Sequence, residues 1–420
     1  MEVLAKILES SDENIKLCAE KLKNGEIVSF GTETVYGLGA NCFNQESVLN
    51  IFKYKGRPLS DPLILHVDKI DKIYPLIDET KENIELLNQI SSHFWPGAIT
   101  LILKANSEKI SKYITAGSDY VSFRIPNNKF ALELLSLVDF PVAAPSANKF
   151  CHVSPVSADH VFDDFKEFPI TILNCGRCEF RMESTVVKLE NKKLVVFRKG
   201  AITLEDLSSF TKKNQLLKDF EIEYKSKDKD KENEKNKDKE NINENKISDV
   251  NNKGHNSELN ILGEENEDKE CPGLFRKHYS PIIPTYLYSN NINGEKCKNL
   301  FKFLFDKNTK IGIIDFNGYI KNSLNIESEI IFNLDLVSEL YLSDISTINT
   351  IITDEVSLAK IALGNIYDCL RNAEKYLNKV DILLLPFIDE IISDQNPYKP
   401  TLLDRVLKAS SSNLFEYNNK

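Results

Sequence analysis

The sequence lacks an apolar run long enough to cross a membrane. Its longest apolar runs, such as DILLLPFI at 381–388, fall far below the roughly 18 residues that a membrane-spanning helix needs. The first residues, MEVLAKILESSDENIK, also lack the basic, apolar and small-residue regions of a secretory signal. We therefore expect a cytoplasmic protein that makes no membrane contact.

An excess of positive charge is also missing. The formal net charge is −10, which argues against a broad electrostatic surface for nucleic acid but leaves room for a local basic pocket. Among the eight Cys, only Cys175 and Cys178 have the C-x-x-C spacing of a zinc or redox site. Because no second pair lies nearby, a turn between two strands is the favoured interpretation.

Sequence signatures of the common nucleotide and hydrolase sites are absent as well. There is no Walker A loop and no G-x-G-x-x-G, H-E-x-x-H or G-x-S-x-G motif. Nucleotide chemistry in this chain would therefore depend on scattered cations and backbone amides. That is sufficient for adenylyl transfer, in which positioning and charge neutralisation leave little need for a protein nucleophile.

What the sequence does contain is two foldable regions separated by a charged one. A length of 420 residues predicts two domains. The stretch at 225–269 begins KSKDKDKENEKNKDKEN and has too few apolar residues to offset the entropy of ordering. The predicted boundaries are a catalytic domain at 1–215, a disordered low-complexity insertion at 216–270, a linker at 271–286 and a C-terminal α/β domain at 287–420.

The first region alternates β-rich runs with helical periodicity. Helical spacing over 11–25, with Gly25 as the stop, predicts a helix. Runs bounded by Gly or Pro predict about seven strands, at 25–32, 62–67, 98–104, 120–126, 140–146, 183–190 and 194–200. After the linker, KIGIIDF and DILLLPFI predict buried strands, and 355–379 predicts one or two amphipathic helices. Both regions are therefore predicted to be α/β.

A cation-rich loop, KYKGRPLSDPLILH, is the first candidate site. It places Lys53, Lys55 and Arg57 within five positions. Pro58 and Pro62 restrict the backbone beside them. Like charges held together in a stiffened loop indicate a bound anion.

Polar residues at the ends of apolar strands are further candidates. Arg124 in YVSFRIP needs a planar anionic partner, either an internal carboxylate or the carboxylate or phosphate of a ligand. The small residues of FPVAAPSAN leave room for a ligand. Ser154 and Pro155 after them predict a helix N-cap, which suits phosphate. His66, at the end of PLILH, is more typical of a hydrogen-bonded core residue than of a catalyst.

Seven motifs then occur in order: GTETVYGLGA, KGRPLSDPLILHV, FWPGAITLIL, VSFRIP, PVAAPSAN with a later SP, ESTVVKL and FRKGAIT. Together they resemble the YrdC-type L-threonylcarbamoyl-AMP synthases over roughly 11–212, and PGLFRKHYSP with the C-terminal segment resembles the two-domain form. The resemblance implies an α/β fold: an open twisted mixed sheet (YrdC-like) around a concave positive cavity, with a smaller C-terminal Rossmann-like domain. The linker would close over the active site.

The resemblance also implies a nucleotidyltransferase reaction. L-threonine, bicarbonate and ATP would give L-threonylcarbamoyl-AMP and pyrophosphate, with N-carboxythreonine attacking the α-phosphorus. Mg²⁺ would accompany ATP, and no resident metal is expected. The product would pass to the tRNA threonylcarbamoyl-transfer machinery that makes threonylcarbamoyladenosine (t6A).

Site residues follow from the same resemblance. Lys55 and Arg57 match the catalytic cations that face the ATP phosphates. The positions that match threonine contacts are Thr34, His66, Arg124, Ala144 and Ser184. The positions that match nucleotide contacts are Lys55, Arg57, Asp61, Tyr120 (through its backbone), Ser146, Ser154, Arg198, His278 and Tyr279.

Some residues depart from the family pattern. Asp61 replaces a usual Asn, and it either faces Lys55 or Arg57 or helps to hold Mg²⁺. Arg181 stands where Gly usually precedes the E-S-T motif, and the usual Ser-Gly is missing after Asn148. These changes fall in loops that would line the cavity.

Two other functions stay open. Relatives of this domain are associated with double-stranded RNA, so weak RNA binding, with or without catalysis, is one of them. The acidic charge and the lack of aromatic-and-basic stripes argue against a dedicated RNA-binding module. A carbamoyl-transfer enzyme like those of hydrogenase maturation is the other, although their acylphosphatase-like and zinc-finger segments are absent here. The synthase is the favoured function.

Overall fold

The computed structural model describes residues 3–225, 279–288, 311–316, 331–333, 355–375 and 381–411. The strands of the first range are β1 (Lys6–Glu9), β2 (Ile27–Phe30), β3 (Gly37–Asn41), β4 (Ile64–His66), β5 (Ile99–Lys104), β6 (Tyr120–Arg124), β7 (Val142–Ala143), β8 (Ile170–Asn174), β9 (Thr185–Glu190), β10 (Lys193–Arg198) and β11 (Glu221–Tyr224). They form one eleven-stranded sheet in the order β1-β8-β2-β3-β7-β4-β6-β5-β9-β10-β11. Some neighbours, such as β4 and β6, are parallel and others, such as β5 and β6, are antiparallel. The predicted mixed α/β sheet is confirmed.

Seven α-helices accompany this sheet: α1 (Asp12–Lys23), α2 (Gln45–Lys55), α3 (Lys81–Phe94), α4 (Lys112–Thr115), α5 (Lys129–Ser136), α6 (Ala158–Phe165) and α7 (Leu204–Lys213). Helix α1 confirms the helix predicted over 11–25. It begins after Ser11, whose hydroxyl accepts a hydrogen bond from the Asn14 amide, as an N-cap does. Gly25 just beyond its end has a φ of +82°, a conformation that glycine adopts without a Cβ clash.

The structure corrects the predicted N-cap at Ser154 and Pro155. Helix α6 begins three residues later, after Ser157, which caps it by accepting from the His160 amide. The Ser154 hydroxyl is already committed, because it donates to the Glu183 carboxylate at 2.6 Å. The prediction placed the helix start too early because the buried carboxylate that binds Ser154 is distant in the sequence.

All seven predicted strands are present with shorter bounds, and four more strands were missed. Strand β3 was missed because its sequence, GLGAN, has little β propensity. Gly39 is required there, since a Cβ would lie 2.8 Å from the Val28 carbonyl oxygen. Strand β11 pairs with β10 in parallel and falls inside the predicted insertion at 216–270, of which 226–270 lies outside the described residues.

The described C-terminal residues form a second sheet. Its strands are β12 (Thr285–Tyr288), β13 (Ile311–Asp315), β14 (Ile331–Asn333) and β15 (Ile382–Pro386), all parallel, in the order β12-β15-β13-β14. Strands β13 and β15 correspond to the predicted KIGIIDF and DILLLPFI strands. The helices are α8 (Glu355–Glu374) and α9 (Lys399–Ala409). In the described part of the chain, no helix combines the length and the apolar character that a bilayer-spanning helix needs.

Helix α8 contacts the first domain through a buried polar group that we call the His152 cluster. It consists of His152, Asp164, Arg371 and Glu374. The His152 ring contacts the Asp164 carboxylate at 3.0 Å through Nδ1 and the Glu374 carboxylate at 2.9 Å through Nε2. The Arg371 guanidinium also contacts the Asp164 carboxylate, at 3.0 Å. Charged contacts between residues more than 200 positions apart therefore attach α8 to the first domain.

Candidate active site

A cavity beside β4, β6 and β7 brings many of the predicted site residues together. His66 and Arg124 are paired in register at the ends of parallel strands β4 and β6, so both side chains lie at the same edge of that strand pair. The predicted residues that line the cavity are Thr34, Arg57, His66, Arg124, Ala144, Ser146, Ser184 and Arg198. The other lining residues are Thr32, Val35, Tyr36, Gly37, Pro62, Ile64, Pro145 and Glu183.

Arg57 is held in the cavity wall by its own loop. Helix α2 ends at Gly56, whose left-handed φ of +66° turns the chain sharply. The Arg57 guanidinium then donates to the carbonyl oxygens of Asp61 at 3.1 Å and Pro62 at 2.6 Å, and it contacts the Asp61 carboxylate at 3.0 Å. Asp61 therefore faces Arg57, one of the two cations that the sequence offered as its partner.

Lys55 is buried behind this wall and does not line the cavity. Its ammonium donates to the carbonyl oxygens of Ser146 at 2.6 Å and Asn148 at 2.5 Å. Burial, followed by repulsion from Arg57, holds the pKa of Lys55 well below its ordinary value. In this structure Lys55 therefore fixes the backbone that carries Ser146, while Lys53 is exposed on the surface.

Arg124 has an internal anionic partner as well as a face in the cavity. Its guanidinium contacts the Glu33 carboxylate at 2.6 Å and donates to the Thr34 hydroxyl at 2.6 Å. The Glu33 carboxylate is buried, and neither of its oxygens has a well-aligned hydrogen bond among the described residues. Burial of a carboxylate is costly unless a cation compensates it, so Glu33 and Arg124 hold each other in place.

His66 is buried at the cavity edge in its neutral form. Burial, together with the nearby Arg124 charge, lowers the pKa of His66 to about 3, although the backbones of Ile64 and Val142 oppose part of this effect. In the described part of the chain, its Nδ1 has no hydrogen-bond partner of ordinary geometry. A buried ring nitrogen of this kind is suited to a ligand that brings a polar group.

Ser184 and Arg198 line the cavity as a hydrogen-bonded pair. Arg198 donates to the Ser184 carbonyl and hydroxyl oxygens, both at 3.1 Å, and the Ser184 hydroxyl also contacts Thr100 Oγ1 at 2.7 Å. The following turn needs Gly200, since a Cβ there would lie 2.4 Å from the Ser184 carbonyl carbon. This close approach sets Arg198 against Ser184.

Comparisons with known proteins agree with this arrangement. The family model described as Telomere recombination, which covers the Sua5, YciO and YrdC proteins, matches residues 20–200. The model described as Threonylcarbamoyl-AMP synthase, C-terminal domain, matches 212–411. A putative threonylcarbamoyl-AMP synthase of Methanocaldococcus jannaschii is 31% identical over 212 residues, which are 49% of this chain and 96% of that protein. This chain belongs to the threonylcarbamoyl-AMP synthase family.

Longer members of the family are also similar. The threonylcarbamoyl-AMP synthase of Pyrococcus abyssi is 39% identical over 208 residues, which are 49% of this chain and 60% of that protein. The chain thus matches less than two thirds of that curated relative in sequence. A crystal structure of P. abyssi Sua5 complexed with L-threonine aligns with a TM-score of 0.70 at 26% identity over 99% of both chains. The mixed α/β architecture is therefore that of the family.

Six of the nucleotide-contacting positions expected from the family lie outside the cavity lining or outside the described residues: Lys55 and Asp61, described above, and Tyr120, Ser154, His278 and Tyr279. Tyr120 begins β6, at the end opposite Arg124, and its ring lies under the Lys188 ammonium at 3.5 Å. Ser154 is buried and bound to Glu183, as described above. Tyr279 is fully buried, and His278 lies outside the described residues.

The sequence reasoning missed two carboxylates that belong to the site. Glu33 contacts Arg124, and Glu183 lies in the cavity lining. Both fall inside family motifs, GTETVYGLGA and ESTVVKL, and both are charged residues beside apolar strands. That pattern, which identified Arg124, could also have identified them.

The C-x-x-C pair forms a turn, as the favoured interpretation had it. Cys175 directly follows β8, and Gly176 then turns the chain with a φ of +79°. Both thiols are buried, and burial raises the pKa of Cys175 to about 12. In the described ranges, no group of three or more His, Cys, Asp and Glu side chains is arranged to hold a metal ion.

Proposed function

We propose that this protein makes L-threonylcarbamoyl-AMP and pyrophosphate from L-threonine, bicarbonate and ATP. The observation that carries the proposal is the convergence of Arg57, Arg124 and Arg198 on one cavity in a chain of the threonylcarbamoyl-AMP synthase family. Guanidinium groups bind carboxylates and phosphates through paired hydrogen bonds. Threonine presents a carboxylate, and ATP presents phosphates.

L-threonine would bind at the His66 side of the cavity. The Arg124 guanidinium suits its carboxylate, and Thr34, already bonded to Arg124, would extend that contact. The neutral His66 ring offers a buried nitrogen for a polar group of the amino acid. Ala144 leaves room for the side chain, and Ser184 would complete the site.

ATP would bind at the opposite side. Arg57 and Arg198 would face its phosphates, with Ser146 beside them, and Lys55 would act through the turn that it fixes. We keep Asp61, Tyr120, Ser154, His278 and Tyr279 as proposed nucleotide contacts, although the first three and Tyr279 lie outside the cavity lining and His278 lies outside the described residues. Because Ser154 and Tyr279 are fully buried, their binding of ATP would need a rearrangement of the cavity wall.

Mg²⁺ is proposed only as part of the ATP complex. Three carboxylates lie in or next to the cavity wall, and each is paired with an arginine: Asp61 with Arg57, Glu33 with Arg124 and Glu183 with Arg405. Carboxylates neutralised in this way do not make a magnesium site, which needs unpaired oxygen ligands. We therefore propose that the arginines of the cavity bind the phosphates and that Mg²⁺ enters with ATP.

The reaction would proceed in two steps. The threonine amine and bicarbonate form N-carboxythreonine with loss of water. A carboxylate oxygen of this carbamate then forms a bond to the α-phosphorus of ATP, while the bond from that phosphorus to the bridging oxygen of pyrophosphate breaks. Preorganised cations stabilise the charge that develops on the departing pyrophosphate.

The cellular context is part of the same proposal. We expect the product to pass to the tRNA threonylcarbamoyl-transfer machinery for t6A synthesis in the cytoplasm. The C-terminal parallel sheet with α8 and α9 is consistent with a Rossmann-like domain, and the linker at 271–286 would cover the site. The domain boundaries given above also remain predictions.

The test is pyrophosphate release by the purified protein. Release that requires threonine, bicarbonate and ATP together, and that collapses in Arg57→Ala, would support both the reaction and the role of Arg57. Release that ignores threonine would refute the proposed acceptor. No release from well-folded wild-type protein would favour the RNA-binding alternative.

A further inference from the structure

Glu183 receives three hydrogen-bonding or charged groups, two of which come from the C-terminal helices. Its Oε1 accepts from the Ser154 hydroxyl at 2.6 Å. Its Oε2 accepts from the Tyr367 hydroxyl at 2.7 Å and contacts the Arg405 guanidinium at 3.1 Å. Tyr367 belongs to α8 and Arg405 to α9, so a carboxylate in the cavity lining is bound by both helices.

Both C-terminal partners of Glu183 are as deeply buried as the carboxylate itself. The Arg405 and Tyr367 side chains are fully buried. Arg405 also donates to the Lys199 carbonyl at 3.0 Å and lies 4.6 Å above the Tyr279 ring. A buried guanidinium needs its charge compensated and its donors used, and here the compensating carboxylates are Asp404 on the same helix and Glu183 in the cavity lining. Arg405 is therefore positioned to influence the cavity wall through Glu183.

The charge balance of the cavity depends on this contact. Burial alone would raise the pKa of Glu183, but Arg405 and Arg198 keep it below its ordinary value, so the carboxylate is ionised. An ionised carboxylate beside a phosphate-binding arginine competes with phosphate for that arginine. The Arg405 charge offsets this competition.

We propose that Tyr367 and Arg405 are positioning residues for the ATP side of the cavity, acting through the Glu183 carboxylate. Arg405 compensates Glu183 so that Arg198 can bind a phosphate, and Tyr367 fixes the carboxylate that orients Ser154. The C-terminal domain thereby contributes to nucleotide affinity without touching the nucleotide. This inference rests on the proposed function, since it names which substrate the contact serves.

The test separates the KM for ATP from the KM for threonine in threonine-dependent pyrophosphate release. Arg405→Met keeps most of the side-chain volume and removes the charge, and Tyr367→Phe removes only the hydroxyl. The double variant Glu183→Gln with Arg405→Met removes both charges together. Arg371→Met is the matched control, because Arg371 attaches α8, the helix that carries Tyr367, to the first domain through Asp164 and is not among the partners of Glu183.

We expect the KM for ATP to rise at least tenfold in Arg405→Met and two- to fivefold in Tyr367→Phe, while the KM for threonine changes less than twofold. The double variant should reverse most of the rise in the KM for ATP that Arg405→Met causes. Arg371→Met should leave the KM for ATP within twofold of wild type. The double variant and Tyr367→Phe keep the test decisive if Arg405→Met does not fold.

Three results would overturn the proposal. One is an unchanged KM for ATP in folded Arg405→Met and Tyr367→Phe, and another is the absence of any recovery in the double variant. The third is an equal rise in Arg371→Met, which would show that helix attachment alone matters. If wild-type protein releases no pyrophosphate, the proposed function fails separately. Calorimetric binding of a non-hydrolysable ATP analogue then decides the positioning role, with the same tenfold weakening expected in Arg405→Met.

Discussion

The His152 cluster should make the stability of this protein fall as the pH rises above neutrality. Burial alone would lower the pKa of His152, but hydrogen bonds to Asp164 and Glu374 raise it to about 9 from an ordinary value of 6.5. The His152 ring is therefore an imidazolium at neutral pH, with Nδ1 donating a hydrogen bond to Asp164 and Nε2 donating one to Glu374. Replacing it with glutamine removes this charge.

The size of the effect follows from the two pKa values. Below about pH 6.5, His152 is protonated in both the folded and the unfolded chain, and its full contribution to the free energy of unfolding is present. That contribution is lost as the pH rises from 6.5 through 9, because only the folded state then holds the proton. At 1.36 kcal/mol for each pH unit between the two pKa values, the contribution is about 3 kcal/mol. The side chain is only 13% exposed, so solvent screening takes little from it.

The assay compares urea unfolding of wild type and His152→Gln at pH 6.0, 7.5 and 9.5. Subtracting the free energy of unfolding of the variant from that of the wild type cancels the contribution of every titrating group outside the cluster. The stability difference should shrink by about 3 kcal/mol from the lowest pH to the highest. His93→Gln, at an exposed histidine outside the cluster, is the control and should show no such trend. A wild-type advantage that stays constant across this range would refute the assigned charge state of His152.

Three further predictions follow from the site and its loops. Arg57→Ala should lower threonine-dependent pyrophosphate release at least a hundredfold, measured at saturating substrates, since it removes a cavity cation. Arg124→Lys should raise the KM for threonine at least tenfold, because a single ammonium cannot contact both Glu33 and a ligand carboxylate as a planar guanidinium can; an unchanged KM would place threonine elsewhere. Arg181 has a φ of +55° and donates to the Asn365 side chain at 2.9 Å. Both Arg181→Ala and Arg181→Gly lose that bond, but only glycine adopts the positive φ without strain. The Ala variant should therefore be less stable than the Gly variant by about 1 kcal/mol. Thermal unfolding measures this order, and a less stable Gly variant would contradict it.

The fold could be predicted from the sequence where local pattern and packing agree. Strands β5, β6 and β9 are apolar β-rich runs, and the sheet buries them as such. Strand β3 is glycine-rich because the backbone of a neighbouring strand lies against Gly39, and this is a tertiary requirement with no local signal. Strand β11, EIEY, is an edge strand in which every second residue is charged, so it resembles the charged segment that follows it.

The site residues could be predicted where a single polar residue interrupts an apolar run. Arg124 and His66 stand out for that reason, and the family motifs identify the other predicted residues that line the cavity. The partners of these residues could not be predicted. Tyr367 bonds to Glu183 across 184 positions, and no local pattern indicates which of many polar residues on a helix reaches a distant carboxylate.

Buried counter-ions explain the unexpected acid in the cation-rich loop. A guanidinium moved out of water must recover several kcal/mol of lost hydration, and Arg57 is 8% exposed with the fully buried Asp61 against it. Asparagine at that position could accept a hydrogen bond but could not balance the charge, so Asp61 lets Arg57 remain in the wall before any phosphate arrives. The same reasoning covers Glu33 beside Arg124 and Arg405 beside Glu183. A ligand anion would therefore meet guanidinium groups that are already paired and held in position, and affinity would depend on the orientation of their remaining N–H groups as well as on the charge balance that Arg405 maintains.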